Sequence, residues 1–559
     1  MTDLNQAQGV AGLKQYNLKT ASIVFMIYCL VAAGAFGIEE MIPASGPGVT
    51  LIMLIVFPFI WAWPISSMVA EMGAILPSEG GVYVWVKEAF GEFWGFQAGW
   101  WNTVSIYITN GVYVALVVGY LRHFVEMSDF TGFVVKILMI VVFTIINLLG
   151  IREVGWVSTF LSICILIGFA FVAIVGFANW NQNPFEPVVA YEMTGFEAVG
   201  GCIAICIWMY CGYECISNMA GEVTNPQIIP KGLIIAMPLI ALTYVLPTMA
   251  GLASIGSWEN WATEGEGAVG YSDVITQFMG PAWGIAFLVI AIISQCAIFN
   301  TYLASGSRGF FVLADDHLCP KFLVKVSKGR GVPYVGILSL SFVTMLLAQY
   351  DFTTLVMAEV VFILALYIIL PLAVIRYRKV MPVEKRGGVF TIPGGNAGLY
   401  FCCGIVLVIS ILALMINGTD YFLIGLLGIG TGPVAYLIFK WLYGGYYKTN
   451  PKKYPINPRT KLAVGDILRI SYYCLISGIV GLLGKFFLTW YEGEWGEEYY
   501  LEVNESGFFS DFWSMLDYLQ IGSIIVIILG IVLFIIGKKV DKGAASLIDE
   551  ESTEETPVS

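Results

Sequence analysis

Histidine is almost missing from this chain: among 559 residues there are two, His123 and His317, both in predicted loops. That scarcity excludes a histidine-rich metal centre and a Ser/His or Cys/His nucleophilic site within the apolar part of the molecule. No metal, cofactor or enzymatic reaction is expected. Charge is scarce too, since Asp, Glu, Lys and Arg supply 12% of the residues against 58% hydrophobic ones, and the mean hydropathy is +0.80. This is the composition of an all-α polytopic membrane protein. The net charge of −12 gives no footing for a nucleic-acid partner. No cleavable signal peptide is expected, because the first nineteen residues are polar and the apolar run behind them lacks a small-residue cleavage site. Cysteine is present eleven times, but Cys202, Cys206, Cys211, Cys215 and Cys296 lie in apolar runs, as small buried residues rather than a disulfide framework.

Long hydrophobic runs are what the chain has in quantity. A spanning helix needs about 20 largely apolar residues, and about fourteen stretches qualify, among them 20–43, 198–220, 354–376, 466–490 and 519–537 as the first, sixth, tenth, thirteenth and fourteenth. Lys14, Lys19, Lys87, Arg152, Lys231 and the cluster Arg308 to Arg330 fall on one side, while Arg122, Lys136 and Lys485 fall on the other. By the positive-inside rule both termini are cytoplasmic, in a multi-pass plasma-membrane protein. The opposite loops are acidic, with Glu186, Glu192, Glu259, Glu264, Glu266 and the run Glu492 to Glu505. They are either ordinary solvated loops or a negative face that concentrates cations. The expected division is a cytoplasmic segment 1–19, a twelve-helix core 20–443, a linker 444–465, two further helices within 466–537, and a tail 538–559 whose acidic part, Asp549 to Glu555, reads as disordered.

One acid breaks the apolar pattern of the sixth stretch. Burying a charge at mid-membrane costs at least about 2.5 kcal/mol, so Glu214 is expected to face a cavity where substrate, ion or proton passes. In Trp208-Met-Tyr-Cys-Gly-Tyr-Glu214, Gly212 offers a place for the helix to unwind. The first stretch is interrupted as well, by Gly34-Ala35-Phe36-Gly37-Ile38-Glu39-Glu40. Two broken helices at matching places in two halves point to an inverted-repeat transporter with a midplane site.

Several runs carry a family resemblance over about residues 18–445. Besides the break at Gly34 to Glu40, they are Ala70-Glu-Met-Gly-Ala-Ile-Leu-Pro77 with Gly80-Gly81, Trp94-Gly-Phe-Gln-Ala-Gly-Trp100, Ala220-Gly-Glu-Val-Thr-Asn-Pro226 and the segment Ala304-Ser-Gly-Ser-Arg308 to Pro320. The chain resembles the amino acid, polyamine and organocation transporter superfamily. The Gly-x-Phe-Gly-Ile-Glu-Glu break with Trp208 and Glu214 is similar to the eukaryotic polyamine uptake branch, and the Trp208-to-Glu214 spacing also to bacterial exchangers of a basic amino acid for its amine. The resemblance implies a five-plus-five inverted repeat in helices 1 to 10, and says nothing of the last two helices.

The first break would set backbone N–H groups of Gly34 to Ile38 at the positive end of a half helix, a place suited to a carboxylate. Glu39 and Glu40 follow in its first turn, where they would repel a second carboxylate and welcome an amine, or else simply face the outer vestibule. Glu359, in the tenth stretch, could hold one ammonium of a diamine while Glu214 holds the other; the alternative is an acid reaching water near its helix end. The polyamine branch likewise carries an acid there. Trp208 could stack on the substrate. The substrate-binding set is thus Gly34, Phe36, Gly37, Ile38, Glu39, Trp208, Gly212, Glu214 and Glu359. Tyr113 and the other aromatics near it, and Ser294, Gln295, Asn300 and Thr301, read chiefly as packing and helix-to-helix glue. Glu71 is assigned to an inner gate or a salt bridge. No lysine lies between Gly155 and Gly176, so the lysine switch of proton-driven relatives does not carry over, and Glu214 is left as the proton acceptor. The expected function is secondary transport of cationic amino acids or polyamines by alternating access. Its partners are an amine or amino acid substrate, membrane lipid, and a co-transported proton or exchanged solute. The alternatives are a proton-coupled neutral amino acid permease and a non-transporting nutrient sensor.

Overall fold

The computed structural model describes residues 15, 17–32, 34–122, 125–191, 193–263, 267–457, 459–504 and 506–554, without the side chains of 151–153 and 542–554. Lys14, His123, Glu192, Glu264, Glu266, Glu505 and the side chains of Arg152 and the acidic tail therefore lie outside the described residues. Helices make up most of the chain's described residues. Its helices are α1 Thr20–Val31, α2 Met41–Ser45, α3 Pro47–Ile75, α4 Val82–Phe90, α5 Glu92–Arg122, α6 Asp129–Leu149, α7 Ile151–Ala178, α8 Gly195–Met209, α9 Ile228–Ser254 and α10 Tyr271–Met279. They continue as α11 Pro281–Gly306, α12 Gly309–Asp315, α13 Tyr334–Leu347, α14 Phe352–Val380, α15 Gly395–Ile416, α16 Thr419–Tyr443, α17 Asp466–Tyr491, α18 Gly496–Asn504 and α19 Phe512–Glu554. Pairing between strands is confined, among the described residues, to two isolated bridges.

Among the described residues twelve helices are long and apolar enough to cross a membrane, against the fourteen spans expected. The other two expected stretches are occupied by the shorter apolar helices α1 and α13. The reason in α1 is the glycine break: its helix stops at Val31, and Gly34 and Gly37 take φ +115° and +90°, where a side chain would be strained. The chain then resumes as a 3-10 turn, Ile38–Glu40, before α2. In the sixth stretch, α8 ends at Met209, Gly212 turns at φ +96°, and a 3-10 segment Tyr213–Glu222 follows. The two breaks touch: a Cβ on Gly212 would sit 2.4 Å from the Leu30 carbonyl oxygen.

Helix starts follow from sequence. Ser128 and Asp351 accept the N–H groups of Thr131 and Thr354, Thr194 and Glu197 form a reciprocal capping box, and Pro47 and Pro281 open α3 and α11. One end of the bundle carries the loops rich in Lys and Arg; we call it the basic end, and the opposite one the acidic end.

The last two long helices, α17 and α19, pack along each other and lean on α16. At the acidic end Glu492 fastens this hairpin to the core by accepting from the Thr419 N–H and hydroxyl, with Tyr500 alongside. Burial, with Asp420 close by, pushes the Glu492 carboxyl up to about 7 despite the hydrogen bond from Thr419. The tail departs from expectation. Helix α19 runs to Glu554, past residue 537, because Lys, Ala, Leu, Asp and Glu there let a helix already formed propagate.

Candidate functional site

The two breaks bring together residues far apart in sequence. Trp208, on the last turn of α8, packs its ring against Tyr113 of α5 and Phe352 of α14, with ring centres 5.9 and 5.3 Å away. Gly37 forms the opposite wall, where a Cβ would lie 2.9 Å from Phe352 and 3.2 Å from Trp208. Tyr302 of α11 stacks obliquely on Tyr113 and places its hydroxyl beside Gly212.

Two carboxylates lie in this enclosure, each 1% exposed. Glu214 accepts a 2.6 Å hydrogen bond from the Tyr367 hydroxyl through Oε2 and faces the Cys215 thiol through Oε1. Glu359 accepts from the Ser105 hydroxyl, with Thr109 one turn further along α5 also turned to it. Its Oε2 has no partner. The two acids are close enough for their charges to interact, and among the described residues no Lys or Arg pairs with either. The Trp208 indole N–H, the Tyr213 hydroxyl and both amide atoms of Gln295 are likewise buried without partners. An unsatisfied buried polar group costs about 1–3 kcal/mol, and Glu359 Oε2 and the Trp208 indole N–H can each take a further hydrogen-bond partner.

Several expectations are corrected by the geometry. Backbone N–H groups at the first break were expected to be open to a carboxylate, but Glu39 folds back to accept from the Gly37 N–H at 2.8 Å, and Tyr120 donates to its other oxygen. A carboxylate two residues on is the nearest group able to satisfy an orphan donor. Glu39 is buried, not facing an open vestibule, and Glu40 holds the 261–269 loop by accepting from Thr263. Phe36 packs edge-on against Tyr120 and Phe169, with Phe287 behind, and Ile38 is buried among apolar neighbours. Gly34 faces Phe169 and Phe36. Gly34, Phe36, Ile38 and Glu39 thus form the cover on the acidic side, while Gly37, Trp208, Gly212, Glu214 and Glu359 line the enclosure.

Sequence reasoning set Tyr113 aside and did not single out Ser105, Thr109, Tyr302, Phe352 or Tyr367. One signal was there: Ser105, Thr109 and Tyr113 recur every four residues and share a helix face. The other aromatics of α5 are structural, Trp100 bonding Thr431, Trp101 the Ile429 carbonyl and Tyr107 Ser339. In α11, Asn300 accepts from Asn147 and Thr301 meets Ser158, which is glue between helices. Glu71 is locked at the basic end by both Arg378 and Arg386 and by the Ile392 N–H.

Residues 18–434 match the family described as amino acid permease, which is most of the chain. The chain belongs to that family. The permease is 30% identical over 401 residues to a probable polyamine transporter of Arabidopsis thaliana, an alignment covering 68% of this chain and 75% of the relative. It is 29% identical over 347 residues to a polyamine transporter of Oryza sativa subsp. japonica, covering 60% and 62%. A serine/threonine exchanger of Bacillus subtilis is 26% identical over 389 residues, covering 66% and 84%. The family match ends within α16, so α17 and α19 lie outside it.

Proposed function

We propose that this permease is a secondary transporter of small cationic amines, polyamines first, working by alternating access between the two broken helices. The observation that carries the reading is the pair Glu214 and Glu359: two buried acids, close together, walled by aromatic rings and, among the described residues, without a protein cation. Two anions in a low-dielectric enclosure are stable when cations join them, and a diammonium chain supplies two. Trp208, Tyr113 and Phe352 would flank its methylenes and ammonium groups. Relatives named as polyamine transporters support the same substrate class.

In this reading the basic end is cytoplasmic, as are both termini, and the membrane is the plasma membrane. Residues 20–443 are the transport core, 466–537 an accessory pair, and lipid fills the apolar crevice of about 820 Å³ between α16, α17 and α19. The protein performs no enzymatic reaction. Glu214 is free to carry a proton when no cation occupies the site, which allows either proton-linked uptake or exchange.

A second reading, transport of neutral amino acids with Glu214 only as a proton site, draws on the serine/threonine exchanger among the relatives. The two readings separate in proteoliposomes. Counterflow of labelled 1,4-diaminobutane, inhibited by longer polyamines and indifferent to serine and threonine, is expected. Counterflow of serine that diamines do not inhibit would overturn the cationic reading.

A further inference from the structure

A buried ionic triad closes the basic end. Glu79 lies in the turn between α3 and α4, Glu222 ends the 3-10 segment of the sixth stretch, and Arg308 follows α11; each is 2% exposed. The Arg308 Nε donates to Glu222 Oε1 at 2.7 Å and stands 4.0 Å from Glu79 Oε1. Another nitrogen of the guanidinium is spent on the Ala304 carbonyl and the Ser307 hydroxyl. Glu79 Oε2 accepts from the Gly221 N–H at 2.9 Å, and its Oε1 has no hydrogen-bond partner. Elsewhere at this end Lys87 and Asp316 pair with each other.

Two carboxylates therefore share one guanidinium where water does not reach. Such a group is stable when one acid is protonated, because two anions beside one cation leave a net buried charge. Glu79 is the acid that holds the proton. It is the one farther from Arg308, and burial together with the Glu222 charge pushes its carboxyl well above the ordinary range, with Arg308 only partly opposing.

We infer that Glu79 is a proton-carrying residue of the transport cycle, protonated while the basic end is closed and deprotonated when that end opens. The three residues sit on the three segments that must part for solute to leave past Glu214: the α3–α4 turn, the 3-10 segment and the end of α11. Opening hydrates Glu79, its carboxyl returns to the ordinary range, and at neutral pH its proton passes to water on the basic side. Closing takes a proton back. Opening should then become up to about tenfold more favourable per pH unit, between the ordinary carboxyl value and that of the closed state. The inference rests on the alternating-access part of the proposed function and not on the substrate.

Cys215, buried at the start of the 3-10 segment, reports opening without any substrate. The whole protein in lipid nanodiscs is exposed to a membrane-impermeant maleimide from about pH 6 to 8, and modification of Cys215 is read by mass spectrometry. Each rate is divided by that of denatured protein at the same pH, which removes the titration of the thiol. The wild-type ratio is expected to rise several-fold per pH unit. Glu79→Gln, permanently neutral, should flatten the profile; so should Glu222→Gln, since Glu79 and Arg308 then form a neutral ion pair that needs no proton. Glu222→Gln alone decides if Glu79→Gln does not fold. A flat wild-type profile, or the wild-type slope kept in a folded variant, would overturn the assignment, and neither result bears on which amine is carried.

Discussion

Replacing Glu214 by glutamine removes the charge at the centre of the enclosure and almost nothing else. The amide carbonyl can keep the 2.6 Å bond from Tyr367, and the amide nitrogen then faces Cys215. Because no Lys or Arg among the described residues pairs with Glu214, the change strands none of them, so the empty Glu214→Gln protein is expected to melt at the wild-type temperature or above. A bound diammonium has the opposite experience, since it loses one of its two counter-charges. Removing one partner of a desolvated pair costs about 2–5 kcal/mol, which is about 30-fold to several-thousand-fold in Kd. The assay is equilibrium binding of labelled 1,4-diaminobutane to purified protein in nanodiscs, with thermal unfolding of the same samples. Glu359→Gln is the companion variant, and its loss should be of the same order. Wild-type affinity in a well-folded Glu214→Gln protein would refute the reasoning; so would a lowered melting temperature with binding intact, which would make Glu214 a structural residue.

Gly37→Val should abolish diamine binding and uptake: the left-handed backbone costs a branched residue about 1–2 kcal/mol, and its Cβ would press on Phe352 and Trp208 from 2.9 and 3.2 Å. Normal affinity in this variant would show that the enclosure does not hold the substrate. Glu71→Gln strands Arg378 and Arg386 in a buried place, a loss of about 3–5 kcal/mol, and should show as a clearly lower melting temperature in detergent. Glu492 titrates near 7 in the folded protein against an ordinary value of 4.5. The folded state therefore binds the extra proton, and the stability this acid confers is full below about pH 4.5 and is lost as pH rises through 7. Melting temperature should fall between pH 5 and 8, and Glu492→Gln should remove that part of the slope.

How far the sequence could be read varies with the kind of interaction. The broken helices were legible because glycine in an apolar run has few uses, and Glu214 because a charge there has a cost. Glu359 was legible for the same reason. The partners of those acids were not: Tyr367 is one of many aromatics and Ser105 one of many hydroxyls in apolar helices, and which ones turn inward depends on helix packing that no local pattern encodes. The fold-back of Glu39 onto the Gly37 N–H was hidden for a different reason, since an acid after a glycine break could equally face solvent. The triad at the basic end was beyond reach because its members are more than 80 residues apart at the nearest approach, joined only once the sixth stretch unwinds.

Buried ion pairs are not shared evenly between the two ends. At the basic end Glu71 with Arg378 and Arg386, Glu92 with Lys440, Lys87 with Asp316 and Glu222 with Arg308 all bind separate segments, and all are buried. The acidic side is held by rings around Phe36 and by hydroxyl contacts such as that of Glu40 with Thr263. Rings slide apart with little electrostatic loss, whereas separating buried ions requires water to reach both of them. In the proposed alternating-access cycle, opening of the acidic side is therefore expected to be the quick half and opening of the basic end the slow half. A solute inside would then wait behind a latch of buried ions.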